Sequence, residues 1–158
     1  MTRPFVLFVC TGNTCRSPMA EALFLLARPQ TLRWQAASAG LAAMTGACAS
    51  EAAIRAIAEV GGDLGAHRSQ TVTAQLARVA DAIVTMTHAH TEQILARFPD
   101  ARDRLFLLRA FDPDAPANAP VNDPFCGSID DYRRCRDLIR RAMPGLIGYL
   151  GQTDTEPH

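Results

Sequence analysis

Phe5-Val-Leu-Phe-Val-Cys-Thr-Gly-Asn-Thr-Cys-Arg-Ser-Pro18 joins a continuous apolar, β-rich run to a polar loop and then to Pro18-Met-Ala-Glu-Ala-Leu-Phe-Leu-Leu26. A run with no polar alternation is what a parallel strand buried on both faces requires. It is also too short for a signal-peptide core or a membrane span. The segment after the loop reads as a helix with Ser17 as its N-cap and Pro18 at its first position. A strand that enters a helix through Cys10-Thr-Gly-Asn-Thr-Cys-Arg-Ser17 can curl its N–H groups round a tetrahedral oxyanion, with the helix N-terminus adding positive potential.

The residue types in that loop suit phosphate chemistry. Gly12 and Asn13 tolerate the left-handed backbone that such a curl needs. Arg16 offers a planar fork matched to two phosphate oxygens. The helix dipole and the guanidinium together favour the thiolate form of Cys10, the form that attacks phosphorus in line. Spacing alone is weak support, because five cysteines and 16 basic residues among 158 give about half a Cys-x5-Arg match by chance. Cys135 and Arg141 repeat the spacing inside an expected helix, where no loop can wrap an anion. What distinguishes Cys10 is context: strand, glycine-bearing loop, Arg, Ser and Pro coincide.

Outward from this loop the pattern alternates. Arg33 to Ala37 reads as a weaker strand closed by Ser38-Ala39-Gly40, and Ser50 caps a helix from Glu51 to about Val60. Thr73 to Arg78 is a short helix, Ala80 to Met86 a buried strand, Thr87 to Phe98 a helix and Leu105 to Leu108 a fourth strand. Residues 109 to 127 turn to Pro, Asp, Asn and Ala, a loop long enough to be functional. Ser128 caps a last helix through about Leu150, with Asp130 and Asp131 in its first turn. The expectation is one α/β domain over residues 1–150, a four-stranded parallel sheet with helices on both faces, and a disordered tail over 151–158. Ligands in such folds sit beyond the carboxyl ends of the strands, where Cys10 lies.

Composition narrows the function. Sixteen acidic residues balance sixteen basic ones, so no global field draws the chain to nucleic acid or an anionic membrane. Every basic residue is Arg, which excludes a Schiff-base lysine and a nucleotide loop ending in Gly-Lys-Ser/Thr. Cys10, Cys15, Cys48, Cys126 and Cys135 are an odd number without Cys-x2-Cys spacing, which fits reduced thiols in a cytoplasm better than disulfides or a zinc site. No metal or cofactor is expected.

Val9-Cys-Thr-Gly-Asn-Thr-Cys-Arg-Ser-Pro-Met-Ala-Glu21 resembles the signature of the low-molecular-weight protein tyrosine phosphatases, and the resemblance extends nearly to Leu150. It implies a four-stranded parallel sheet and a phosphorylated protein as substrate; the expected architecture is a flavodoxin-like three-layer sandwich, and a monomer is expected although the sequence does not fix the oligomeric state. Cys10 would be the nucleophile and Arg16 the transition-state clamp. Thr11, Gly12, Asn13, Thr14, Cys15 and Ser17 would complete the phosphate loop. Asn13, Ser17, Ser38 and His67 would support it by hydrogen bonds, and Cys15 would form a reversible disulfide that shelters Cys10.

Leaving-group departure calls for a carboxylic acid facing the thiolate. Two Asp-Pro pairs occupy the long loop, and Asp123-Pro124-Phe125, just before the last helix, matches the family's acid and aromatic wall better than Asp112-Pro113. Thr11 and Thr14 stand where tyrosine-directed members carry larger apolar residues. With Met86-Thr-His88 and Asp123-Pro-Phe-x-Gly-Ser-Ile-Asp130 they resemble the protein-arginine phosphatase branch, in which Thr14 would help select phosphoarginine and Asp123 would pair with its guanidinium. Cys126 departs from the glycine expected there. The rival readings are a tyrosine phosphatase of the same mechanism, a thiol-coupled arsenate reductase, which would need cysteines that residues 80–90 lack, and a non-enzymatic phosphate-binding or redox module.

Overall fold

The computed structural model describes residues 2–154. Four strands, β1 (Phe5–Cys10), β2 (Gln35–Gly40), β3 (Ala82–Thr85) and β4 (Leu105–Leu107), form one parallel sheet in the order β2-β1-β3-β4. Five α-helices accompany them: α1 (Arg16–Ala27), α2 (Glu51–Ala58), α3 (Ala74–Val79), α4 (His88–Arg97) and α5 (Ile129–Asp154). Short 3₁₀ turns at Pro99–Arg104 and Leu108–Phe111 flank β4.

The central strand divides the core by its period of two. Val6, Phe8 and Cys10 face α1, α2 and α5, packing with Met19, Phe24, Ile57, Ile139 and Leu146. Leu7 and Val9 face the other way, against Ala77 of α3 and Ile94 of α4. Each such fully buried side chain contributes about 1.5–3 kcal/mol of hydrophobic stabilisation. This two-sided demand is why the first strand is apolar throughout, and it fixes the end of β1 as the rigid base of the loop that follows.

Several local expectations need correction. Helix α1 begins at Arg16, so Ser17 is not its N-cap; Cys15 holds that position without a side-chain cap bond. The Ser17 hydroxyl is committed to other partners in the loop. Pro18 stands third in the first turn, where its missing N–H is one the helix could not have used. The second strand spans Gln35–Gly40 rather than Arg33 to Ala37, which puts Ser38 within it, and the third is only Ala82–Thr85. The last helix continues to Asp154, so residues 151–154 are not disordered: the Asp154 carboxylate accepts the Arg33 N–H at 3.3 Å and ties the helix end to the approach of β2. The rest of the expected tail, 155–158, lies outside the described residues.

Other expectations match the structure. Ser50 accepts a first-turn N–H of α2 as its expected cap, while Thr73 and Thr87, expected as the first residues of their helices, cap α3 and α4 in the same way. Ser128 and Asp131 form a reciprocal cap, Asp131 N–H to Ser128 Oγ at 3.2 Å and Ser128 N–H to Asp131 Oδ2 at 2.8 Å. Pro144 lies inside α5 on an exposed face, where water can serve the carbonyl that loses its partner.

Candidate active site

The loop from Cys10 to Arg16 closes at the carboxyl end of β1. Asn13 takes the left-handed conformation, with φ of 57°. This turn aims its N–H at Cys10 Sγ, 3.3 Å away. The Ser17 hydroxyl is 2.9 Å from the same sulfur. The sulfur is thus held by one backbone N–H and one hydroxyl of its own loop. Gly40, at the end of β2, allows the close approach of the loop, since a Cβ there would lie 2.5 Å from the Thr11 carbonyl oxygen.

Asn13 is the hub that fixes the loop. Its amide nitrogen donates to Ser17 Oγ at 2.8 Å and to Ser38 Oγ at 3.0 Å, while its Oδ1 accepts the Gln70 N–H at 2.9 Å. Its carbonyl oxygen lies 2.8 Å from His67 Nε2, which must therefore carry the proton. Ser38 passes its own hydroxyl to Glu21 Oε2 at 2.7 Å. Burial pushes the Glu21 carboxyl above its ordinary range, against the opposing pull of Ser38 and His67. Ser17 accepts from Asn13, and its own hydroxyl proton lies between the Ala39 carbonyl at 3.5 Å and the closer Cys10 sulfur at 2.9 Å.

Arg16 closes the site from the other side. Its guanidinium donates to the Val121 carbonyl at 3.0 Å and lies 3.5 Å from Asp123 Oδ2. Val121 N–H in turn bonds the Met86 carbonyl at the end of β3, at 2.8 Å. Thus the long loop is docked on both the sheet and Arg16. Asp123 Oδ1 accepts the Phe125 N–H at 3.0 Å, and the Phe125 ring projects outward, 70% exposed. Asp112 instead closes its own turn, accepting the Asp114 N–H at 3.0 Å.

Thr14 is half-buried, its hydroxyl 3.7 Å from Cys15 Sγ. The Cys15 thiol also contacts Ser50 Oγ at 3.4 Å and Tyr132 OH at 3.3 Å. Burial first, and then the Cys15 contact, pushes the Tyr132 phenol up to about 12, so it stays protonated. The decoy Cys135 is buried in α5; desolvation pushes its thiol up to about 12, which makes it inert. All five cysteines are free.

The structure therefore gathers Cys10, Asn13, Arg16, Ser17, Ser38, His67 and Asp123 at one place. It adds Glu21, Gln70, His90 and Tyr132, which sequence reading missed. His90 had a local signal, since it shares a helix face with Ile94 and a polar residue in an apolar stripe asks for a partner. Tyr132 and Gln70 meet the loop across 117 and 57 residues of chain, and nothing local announces them. Among the described residues there is no cluster of metal-ligating groups and no helix long and apolar enough to cross a membrane.

The family model for low molecular weight phosphotyrosine protein phosphatases matches residues 5–155. A protein-arginine-phosphatase from Bacillus subtilis is 41% identical over 146 residues, 92% of this chain and 95% of that one. Among solved structures, the YwlE arginine phosphatase from Geobacillus stearothermophilus superposes with a TM-score of 0.86 at 35% identity, covering 98% of this chain and 99% of its own. A YwlE arginine phosphatase mutant with a phosphorylated active site serine has the same TM-score at 38% identity, covering 94% of this chain and 96% of its own. With a match over almost its whole length, this chain belongs to the low molecular weight phosphotyrosine protein phosphatase family.

Proposed function

We propose that this chain removes phosphate from phosphoarginine residues of proteins, with Cys10 as nucleophile, Arg16 as clamp and Asp123 as acid. The Cys10 thiolate attacks phosphorus in line and the P–N bond breaks. Asp123 delivers a proton to the departing guanidine nitrogen. The phosphocysteine is then hydrolysed as the Asp123 carboxylate takes a proton from an attacking water, the S–P bond breaks and the thiolate is regenerated. Loop N–H groups and the Arg16 fork hold the phosphoryl oxygens throughout, so positive charge is supplied by the chain itself.

The observation that carries the reading is the bridge made by Arg16: one buried guanidinium joins the loop that cradles Cys10 to the carboxylate of Asp123. A binding module would need the loop and Arg16 but neither nucleophile nor acid. The phosphoarginine assignment is supported by the names of the relatives above and by Thr14 beside the nucleophile loop. A guanidinium has many donors and is better met by a hydroxyl and a carboxylate than by an apolar wall. When a peroxide oxidises the Cys10 thiolate to a sulfenic acid, Cys15 is the resolving thiol that condenses with it, releasing water and sheltering Cys10 as a disulfide.

The test is parallel steady-state kinetics on a phosphoarginine peptide and a phosphotyrosine peptide, with Cys10→Ser as control. Higher kcat/KM on phosphoarginine is expected, with no turnover by the variant. A strong preference for phosphotyrosine would reassign the substrate, and turnover by Cys10→Ser would end the covalent mechanism.

A further inference from the structure

We propose that His90 is a positioning residue for the phosphate loop, acting through Thr11; the inference rests on the loop being the catalytic one described above. His90 lies in the first turn of α4, which its own N–H helps to cap by bonding Thr87 Oγ1 at 3.2 Å. Its side chain points into the protein, 4% exposed, and Nε2 stands 2.9 Å from Thr11 Oγ1. That bond spans 79 residues of chain and ends on the residue directly after the nucleophile.

The ring's chemistry leaves it one task. Nδ1 is buried with no partner. Leaving a polar atom so disfavours the folded state. Leu or Met on the Ile94 face would carry no such penalty, so what an imidazole adds at this place is the bond to Thr11. Of the two neutral tautomers, proton on Nε2 leaves Nδ1 as a bare acceptor, which is less costly than an orphaned N–H. Nε2–H then donates to Thr11, and the Thr11 hydroxyl keeps its own proton. Burial, and then the charge of Arg16 nearby, hold the ring's pKa down to about 4 against a smaller opposing pull from Asp123, so the neutral form persists.

Thr11 is consequently gripped from two sides. Its carbonyl oxygen accepts the Ala42 N–H at 2.9 Å beside Gly40, and its hydroxyl is held by His90 from α4. The neighbouring Cys10 carbonyl accepts the Leu41 N–H at 2.9 Å. With Thr11 fixed, the N–H groups of Gly12 and Asn13 and the Cys10 sulfur keep their relative placement. That placement matters most in the transition state, so its loss should appear in kcat rather than in KM.

The experiment is a double-mutant cycle of His90→Leu and Thr11→Val, with His90→Gln as the conservative variant, on an aryl phosphate and a phosphoarginine peptide. Thr11 is exposed and Val is its near-isostere, so that arm does not depend on how a buried substitution folds. Each single change is expected to lower kcat about tenfold with KM little moved, and the double change no further, since both delete one bond. His90→Gln, whose amide N–H reaches about as far as Nε2, should recover most of kcat. Losses that multiply, a Thr11→Val enzyme with unchanged kcat, or losses that follow melting temperature rather than the Thr11 contact would overturn the inference while leaving the proposed function standing. A wild type inactive on both substrates would overturn the proposed function and this inference with it.

Discussion

Arg16 and Asp123 face each other across the site, Nη to Oδ2 at 3.5 Å, with the arginine 6% exposed and the aspartate 48% exposed. Arg16, the proposed clamp, is therefore locked in the core, while Asp123, the proposed acid, stands at the solvent boundary. Asp123→Asn keeps the shape and the Oδ1 that accepts the Phe125 N–H but removes the transferable proton. It should lower kcat on phosphoarginine by about 10²–10⁴. An aryl phosphate with an acidic phenol needs that proton less, so its kcat should fall by a smaller factor. Equal losses on both substrates would remove Asp123 from the role of acid.

His90 also predicts a pH dependence of stability. Its folded pKa, about 4, lies below its ordinary 6.5 because burial and Arg16 disfavour the cation. Between those values the unfolded chain binds the proton and the folded one does not, so stability falls as pH drops from 6.5 towards 4. The maximum loss from this group is on the order of 3 kcal/mol. Urea unfolding of wild type and His90→Gln across this range should give a wild-type curve that falls more steeply; parallel curves would show that the ring is not held neutral.

The fold was legible from β1 and the loop because local chemistry alone dictates them: an apolar strand, Asn13 for the left-handed turn of the curl, and an Arg, Ser and Pro at a helix start; Gly12, expected to share that conformation, does not adopt it. The start of α1 was misread because Ser17 has the residue type of a cap but is recruited sideways by Cys10 and Asn13. Ser38 looked like a turn residue because its neighbours are Ala and Gly, whereas pairing with β1 makes it strand. The 151–154 segment carries Gly and polar residues that read as a tail, whereas Thr153 Oγ1 donates to the Leu150 carbonyl at 2.8 Å and Asp154 accepts the distant Arg33 N–H. Partners supplied from far along the chain, such as Tyr132 and Gln70, leave no periodicity to read.

Cys126 sits next to Phe125 with φ of 62°, a conformation natural to glycine and strained for a side chain. Relieving it gains about 1–2 kcal/mol, offset by about 0.4–1 kcal/mol from the freer unfolded chain. Cys126→Gly should thus raise stability slightly, by about 0.5–1 kcal/mol, with kcat retained, as thermal and urea unfolding beside the phosphatase assay would read. A clear loss of stability would mean that the exposed thiol makes a compensating contact.

Thr14 carries the sharpest consequence for substrate choice. Its backbone carbonyl is tied to the Ser50 N–H at 3.0 Å, so a new side chain can be introduced without freeing the loop. Its hydroxyl lies 3.8 Å from where a Cβ on Gly12 would stand. A guanidinium arriving there brings N–H groups that need acceptors, and Ile supplies none. Leaving one such donor unpaired costs about 1–3 kcal/mol, a factor of about 10 to 100 in kcat/KM. Thr14→Ile should lose that factor on a phosphoarginine peptide and hold or gain on a phosphotyrosine peptide, whose ring asks for apolar contact. If both substrates fall together, Thr14 supports the loop and the preference for phosphoarginine must come from Asp123.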